Sequence, residues 1–251
     1  MFAVIGGSGL TRLPELTITH RQIIRTPYGD PSCPMVFGHL GDREIVFLAR
    51  HGSSHNIAPH EINYRANIWA LKEIGATSII SVGAVTSTDA NMPPGSLILP
   101  NDIIDYTYGR AHTYHQGMGN HVSHVDFSEP YDKALRRLIL ATATAAKTPI
   151  QTEAVYGCMQ GPRLPTKAEV KKLAQDGAQL LGMTGMPEAV LARELGLPYV
   201  HLCGVVGWAA GRHPTTQEQV KSPEQQEQEV ILKIRQLLQQ LVPPSPATSA
   251  V

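Results

Sequence analysis

The feature that most restricts the fold is a series of short apolar runs, rich in β-branched residues, that alternate with segments of helical period. Runs of this length and composition are typical of strands buried on both faces of a sheet. Strands that alternate with helices are typical of α/β proteins. We therefore predict an α/β fold, a single domain with a mixed, largely parallel β-sheet flanked by helices. The predicted strands lie in FAVIG, EIVFLA, TSIISVGA, GSLILP, TEAVYGCMQ and YVHLCGVVG.

Helix start and stop signals occur between these strands. In NYRANIWALKEIGA, Ile68 and Leu71 follow helical spacing, and Gly75 is the predicted C-cap. In SEPYDKALRRLILATATAAK, Ser128 is the predicted N-cap. PEAVLARELG, residues 187–196, is predicted to form a short helix.

The last helix has its own start signal, with Ser222 as N-cap, Pro223 at the first helical position and Gln225 closing a capping box. The segment that follows it, PPSPATSAV, has no apolar face. We therefore predict one domain over residues 1–242 and a disordered C-terminal tail over residues 243–251. The predicted apolar face of the last helix consists of Val230, Ile234, Leu237, Leu238 and Leu241.

Composition and charge argue against several classes of function. Of 251 residues, 42% are hydrophobic and 17% charged, which allows a substantial core. Lysine plus arginine and aspartate plus glutamate number 21 each, so the overall charge indicates neither a nucleic acid nor an anionic membrane surface as partner. The three cysteines form no CxxC pattern, which indicates neither a disulfide framework nor a zinc site. Because the sequence shows no signal-peptide pattern and no membrane-length apolar run, we expect a cytoplasmic protein with a small-molecule partner.

Several predicted strands end in loops of small residues, and in α/β folds such loops collect ligands. Glycines let the backbone approach a ligand, Ser8 and Thr184 offer hydroxyls, Arg50 offers a planar cation, and amides near Ala84 can point inward. This chemistry suits an oxyanion the size of phosphate. The loops are GGSGL at 6–10, ARHGSSH at 49–55, GAVTS at 83–87 and GMTGMPE at 182–188.

Each loop also has a purely structural explanation. A single glycine-rich turn after a strand is usually only a turn, and GGSGL lacks both the Lys-Ser/Thr ending of a P-loop and a full GxGxxG pattern. Arg50 could belong to a surface ion pair, and His51 could be a structural histidine. Glu188 and Arg193, on a short predicted helix, are interpreted as solvated or structural residues.

Five longer segments taken together resemble a known family. GGSGL, LARHG, NYRANIWALKEIGA, QGPRLPTKAE and GMTGMPEAVLARELGLPY are similar to the methylthioadenosine phosphorylase branch of the trimeric purine nucleoside phosphorylases. The resemblance covers residues 2–242 in order. Within the family, VVGWAAGR at 205–212 is most similar to a bacterial branch that acts on methylthioinosine.

The resemblance implies phosphorolysis, in which inorganic phosphate attacks the anomeric carbon of a purine nucleoside and releases the free base and a ribose 1-phosphate. It implies phosphate as co-substrate and neither a metal nor an organic cofactor. It also implies a homotrimer, since the family completes each site with a loop from a neighbouring subunit. Met183 would lie against the ribose. The matching phosphate-binding positions are Ser8, Arg50, His51, Gly83, Ala84 and Thr184.

The sequence departs from the family pattern where the purine should bind. Gly207 stands where the family has an Asp or Asn, and Ala209 replaces the next usual polar residue. Leu164 replaces a purine-facing phenylalanine, and Pro165 stands where relatives carry Ser or Glu. Trp208 either borders the base site or packs against the core. The preference for adenine or hypoxanthine therefore cannot be carried over from the family.

The histidine-rich segment RAHTYHQGMGNHVSHVDF, with His112, His115, His121 and His124 in two pairs, raises the possibility of a metal site. Its glycines and polar residues are incompatible with a helix that would place the pairs on one face, so a structural loop is favoured. The resemblance offers a third role, in which His124 reaches across a trimer interface to the neighbour's pocket for the 5′ substituent.

Two other functions remain open from the sequence. A hydrolytic nucleosidase would need a carboxylate to activate water, and no motif places one. A degenerate phosphorylase homologue could bind a planar aromatic ligand with little or no turnover, which Pro165 and Gly207 leave possible.

Overall fold

The strands of the chain form one mixed sheet that carries helices on both faces. The computed structural model describes residues 1–116, 124–213 and 221–241. The strands of its ten-stranded sheet are β1 (Phe2–Gly6), β2 (Thr17–Gln22), β3 (Met35–Leu40), β4 (Arg43–Ala49), β5 (Ile79–Ser87), β6 (Leu97–Ile98), β7 (Asp102–Asp105), β8 (Val155–Cys158), β9 (Leu180–Gly182) and β10 (Tyr199–Trp208). The helices are α1 (Tyr64–Glu73), α2 (Lys133–Ala145), α3 (Lys167–Gln175), α4 (Gly185–Glu194) and α5 (Pro223–Gln240).

The order of strands in the sheet is β2-β3-β4-β1-β5-β9-β8-β7, with β10 paired to β5 and β6. The central strands β4, β1, β5 and β10 run parallel, as do β7, β8 and β9 among themselves. β9 meets β5 antiparallel, and the hairpins of β2, β3 and β4 are antiparallel. The predicted α/β fold with a mixed, largely parallel sheet is confirmed.

Side chains on the central strands alternate between two hydrophobic clusters, as the pleat of a strand requires. On β1, Ala3 and Ile5 belong to the cluster that contains residues of α1 and α4, whereas Val4 belongs to the cluster that contains residues of α2 and α5. All three are fully buried. The central strands read as continuous apolar runs because helices cover both of their faces.

The helix termini follow the sequence signals in most places. Gly75 follows α1 with a φ of +79°. Helices often end with a residue in this left-handed conformation, which glycine adopts most readily. The predicted capping box of α5 is present, with reciprocal bonds between Ser222 and Gln225. The predicted N-cap of α2 was wrong. Asp132 caps that helix by accepting from the Leu135 amide, while Ser128 donates to Asp126 in the preceding turn.

Some elements were not predicted from the sequence. β2, β3, β7 and β9 were not predicted as strands, and α3 was not predicted as a helix. β2 is exposed along its whole length, so it lacks an apolar pattern, and β9 has only three residues. The predicted strand in GSLILP is a two-residue strand, β6.

One interruption in the sheet leaves an opening beside β5. β10 accompanies β5 from Ile79 to Ser87. On the opposite edge of β5, β1 pairs only as far as Ser81, and β9 joins at Thr86 from the other direction. Residues 82–85 therefore lie in a gap between two neighbouring strands, and backbone polar groups along this edge need other partners.

No helix in the described part of the chain is long and apolar enough to cross a membrane. The predicted domain end at residue 242 and the predicted tail over 243–251 lie outside the described residues.

Candidate functional site

The gap beside β5 opens into a cavity of about 180 Å³. Its walls come from the ends of β1, β4 and β5, from the segment before α3 and from the turn before α4. The structure thus brings together loops that are distant in sequence but share one edge of the sheet. The predicted site residues that line this cavity are Ser8, Arg50, His51, Gly83, Ala84, Leu164, Met183 and Thr184.

Arg50, the residue after β4, is fully buried at the floor of the cavity. Its Nε and Nη2 form a two-pronged ion pair with the Glu188 carboxylate at 2.7 and 2.9 Å. Nη2 also donates to Ser81 Oγ at 2.5 Å, and Nη1 donates to the Val82 carbonyl at 2.9 Å. These bonds use four of the five N–H groups of the guanidinium, which leaves one hydrogen on Nη1 for a ligand.

Gly7 lacks a side chain because of this arginine. A methyl group at Gly7 would lie 2.7 Å from Arg50 Nη1 and 2.6 Å from the Val82 carbonyl oxygen. Such contacts are closer than packed atoms tolerate, so the glycine lets the first loop close over the guanidinium. The loop brings the neighbouring Ser8 to the cavity wall.

The charges at the floor of the cavity balance each other. Burial alone would raise the pKa of Glu188, but the charge and hydrogen bonds of Arg50 and the hydroxyl of Ser81 outweigh it and hold that pKa below its usual value. Tyr199 donates a further hydrogen bond to Glu188 at 2.9 Å. Glu188 is therefore an ionised structural partner of Arg50 and is not free to act as a general base.

His51 presents one ring nitrogen to a ligand. Its Nδ1 lies 2.8 Å from the Ile57 carbonyl oxygen, which can only accept, so Nδ1 carries the proton and Nε2 is the remaining nitrogen. Burial, reinforced by the charge of Arg50, lowers the pKa of His51 to about 4. The imidazole is therefore neutral near pH 7.

Arg110 joins the two loops that form the opposite wall. Its guanidinium donates to the carbonyls of Met183 at 2.9 Å, Met186 at 2.6 Å and Gln160 at 2.6 Å. Three carbonyls, two from the turn into α4 and one from the segment before α3, thus share one cation. Arg110 sets the position of Met183 against the cavity.

The other predicted residues lie at different distances from this cavity. Pro165 lines a neighbouring cavity of about 230 Å³, on the far side of the segment before α3. Gly207 and Trp208 lie half-buried at the end of β10, beyond Val206, which lines the main cavity. Ala209 is buried in a small hydrophobic cluster that also contains the side chains of Val170, Leu173, Ala178 and Leu181.

The histidine-rich segment contributes no metal cluster among the residues described. His112, His115 and His124 are exposed, and the Nδ1 of His112 lies 3.2 Å from the Arg110 carbonyl oxygen. His121 lies outside the described residues.

Comparison with known proteins agrees with this geometry. The family model described as Phosphorylase superfamily matches residues 1–243. The chain belongs to this superfamily. The resemblance to nucleoside phosphorylases noted in the sequence is confirmed.

Two relatives and one solved structure illustrate the similarity of this phosphorylase to others. A probable S-methyl-5′-thioinosine phosphorylase of Pseudomonas syringae pv. tomato is 48% identical over 84% of this chain and 86% of the relative. A 6-oxopurine nucleoside phosphorylase of Pyrococcus furiosus is 41% identical over 83% of this chain and 80% of the relative. Methylthioadenosine phosphorylase from Schistosoma mansoni in complex with adenine superposes with a TM-score of 0.89 at 29% identity, covering 96% of this chain and 90% of the other.

Sequence reasoning missed several polar residues that organise the site of this phosphorylase. Ser81 and His201 lie in the middle of apolar strands and were counted only as strand residues. Glu188 was interpreted as solvated or structural, and its structural role is that of a buried counter-charge. The available signal was a polar side chain inside an otherwise apolar strand, because such a group must find a partner when buried.

Proposed function

We propose that this phosphorylase acts on 5′-methylthio purine nucleosides, methylthioadenosine or methylthioinosine, and uses inorganic phosphate to release the free purine and 5-methylthioribose 1-phosphate. The observation that carries the proposal is the convergence of anion-binding groups from four loops on the open edge of β5. The names of the similar proteins, a thioinosine phosphorylase and a methylthioadenosine phosphorylase among them, support the same substrate class.

The phosphate would bind over the floor of the cavity. Ser8 and Thr184 would supply hydroxyls, the backbone near Ala84 would supply amides, and Arg50 would supply its remaining N–H. His51 supplies Nε2, which in the neutral ring accepts a hydrogen bond and so suits the hydroxyl of a hydrogen phosphate. Hydrogen-bond donors fixed in advance can hold an anion without reorganising during the reaction.

The nucleoside would lie against the apolar wall. Met183 would contact the ribose and Leu164 the purine, with Gly207 and Trp208 near the far end of the base. Pro165 and Ala209 would act from behind this wall, since neither lines the main cavity. The wall offers few polar side chains, so the base would be recognised mainly by shape and backbone groups.

This division of the cavity suits cleavage of an N-glycosidic bond. Breaking the bond places positive charge on the sugar and negative charge on the leaving purine. A phosphate held beside the anomeric carbon acts as nucleophile and as counter-charge. The protein then needs to position the anion and need not transfer a proton to it, which agrees with a floor whose carboxylate is occupied by Arg50.

The protein would work as a homotrimer in the cytoplasm. Leu164 is 71% exposed although it lines the cavity, and Tyr108, beside the neighbouring cavity, is 73% exposed. A neighbouring subunit that covered this mouth would also bring its His124 towards the nucleoside. Sedimentation of the active protein tests the assembly, and a fully active monomer would contradict it.

The deciding experiment measures free-base release from methylthioadenosine and methylthioinosine, each with and without inorganic phosphate. We expect release that requires phosphate and yields a ribose 1-phosphate. Release without phosphate would indicate a hydrolytic nucleosidase instead. Tight nucleoside binding with no release would indicate a degenerate homologue, an alternative that no observation on the structure favours.

A further inference from the structure

His201 is a fully buried histidine that the proposed reaction does not use. It lies on β10 opposite Ser81 of β5, and its Nδ1 lies 2.8 Å from Ser81 Oγ. Ser81 Oγ also lies 2.6 Å from Glu188 Oε1. A carboxylate can only accept, so Ser81 gives its hydroxyl proton to Glu188 and accepts from His201 Nδ1. Nδ1 therefore carries the ring proton, and Nε2 carries a lone pair.

The other side of the His201 ring occupies the side-chain space of Gly83. A methyl group at Gly83 would lie 2.5 Å from His201 Nε2 and 2.9 Å from Cε1. Nε2 has no hydrogen-bond partner among the described residues. The bond from Nδ1 to Ser81 prevents the ring from turning away. The ring of His201 therefore requires a glycine at position 83. The sequence alone had suggested that this glycine serves to let a ligand approach the backbone.

His201 also touches the side chain that supports the loop at 182–188. Its ring packs edge-on against Tyr156, with ring centroids 4.9 Å apart. The Tyr156 hydroxyl accepts from the amides of Thr184 at 3.2 Å and Gly185 at 3.3 Å. One imidazole therefore contacts the supports of three parts of the cavity floor: the arginine, the β5 edge and the turn before α4.

We propose that His201 is a positioning residue for bound phosphate. Its ring fixes the backbone of Gly83 and Ala84 from below and, through Ser81 and Glu188, fixes the direction of Arg50. This inference rests on the proposed phosphate site. His201 itself does not touch the ligand, so its effect is transmitted by packing and by hydrogen bonds.

The test is a double-mutant cycle of Gly83→Ala and His201→Ala. Gly83→Ala alone should lower kcat/KM for phosphate about 100-fold, since a displacement of about 1 Å at a reacting group can cost that much. His201→Ala alone should raise KM for phosphate about tenfold and leave KM for the nucleoside nearly unchanged. The double variant should have a kcat/KM for phosphate about tenfold or more above that of Gly83→Ala, because the new methyl group enters the space left by the ring.

Two control variants separate positioning from general damage. Gly38→Ala places a methyl group 2.5 Å from the Thr17 carbonyl oxygen, on β3 and outside the cavity lining, so its effect should add independently to that of His201→Ala. His201→Asn keeps an N–H donor near Ser81 and should keep KM for phosphate closer to wild type than His201→Ala does. If His201→Ala fails to fold, His201→Asn replaces it in the cycle.

Two results would overturn the inference. In the first, the effects of Gly83→Ala and His201→Ala simply multiply. In the second, KM for phosphate and KM for nucleoside rise together in His201→Ala. Base release by the wild type without phosphate would instead refute the proposed function. In that case thermal unfolding midpoints of the wild type, the two single variants and the double variant still measure the coupling of Gly83 and His201. Additive changes in the midpoint would reject this coupling.

Discussion

The floor and the wall of the cavity are held in place in different ways. On the floor, Arg50, Glu188, Ser81 and His201 are fully buried and bonded to one another. On the wall, Leu164 is largely exposed, and Gly207 has open space where a side chain would be. Each of these four side chains is bonded to at least one other, and hydrogen bonds in a buried network strengthen one another. In the proposed function, this difference would let the floor hold the anion rigidly and leave recognition of the base adaptable.

The largest effect is expected from breaking the floor. Glu188→Gln leaves Arg50 buried without a counter-charge, which should lower the free energy of unfolding by about 3 to 5 kcal/mol and abolish phosphate-dependent turnover. Urea unfolding at neutral pH measures this change. The matched control is Glu169→Gln, which removes an exposed ion pair with Arg163 and should unfold close to wild type. Equal losses in both variants would contradict the special role of the floor.

A slightly smaller effect is expected from making the wall more specific. Gly207→Asn places an amide in space where no atom lies within 4 Å of a new Cβ. If the amide reaches the purine, kcat/KM for a 6-oxopurine nucleoside should rise about 100-fold over that for a 6-amino one, the lower end of the range of about 100- to 1,000-fold for one transition-state donor. Gly207→Ala is the control, since it restricts the same backbone without adding an amide. A rise in both variants would mean that rigidity, and not recognition, had changed.

The floor should also make stability depend on pH. Burial and the charge of Arg50 lower the pKa of His201 to about 3 and that of His51 to about 4. Below about pH 6.5 these two histidines take up protons in the unfolded chain but stay neutral in the folded chain. Their contribution to the free energy of unfolding is therefore fully present above that pH and is lost as the pH decreases. The slope approaches 1.4 kcal/mol per pH unit for one fully buried histidine.

Urea unfolding between pH 7 and pH 5 measures this slope. His201→Asn, which has no titrating ring, should lose part of this slope. An unchanged slope in His201→Asn would show that the ring is protonated in the folded protein.

The smallest expected effect concerns the mouth of the wall. His124→Ala should raise KM for 5′-methylthio nucleosides a few-fold and leave KM for phosphate unchanged, because the proposed contact is made only across the trimer interface. His115→Ala, another exposed histidine of the same segment, is the control. Unchanged KM values in His124→Ala would remove this residue from the site.

How far the sequence predicted the site follows the same division. The sequence predicted that the loops with Gly83, Ser8 and Arg50 lie together, because strand ends must meet at one edge of a parallel sheet, and all three residues line the cavity. Their supports were not found, because Ser81 and His201 look like single polar residues in apolar strands and their partners come from distant segments. The family resemblance indicated which residues to expect on the wall. It could not show that Ala209 packs into a separate cluster, since that depends on how α3 packs against the residue that follows β10.

The fold was predictable to a similar degree. Strands covered by helices on both faces produce apolar runs that are visible in the sequence, and α5 announces its start with Ser222. The exposed edge strand β2 and the three-residue β9 depend on their neighbours for pairing, which no local pattern records.

The ion pair under the cavity has a consequence for how the anion arrives. Arg50 and Glu188 are both fully buried and cancel each other's charge beneath the cavity. Exposed cationic sites attract phosphate over a Debye length and weaken as salt is added, but a buried pair is screened far less. Phosphate would therefore be captured at short range by directed N–H and O–H groups. Its affinity should change little between dilute buffer and physiological ionic strength.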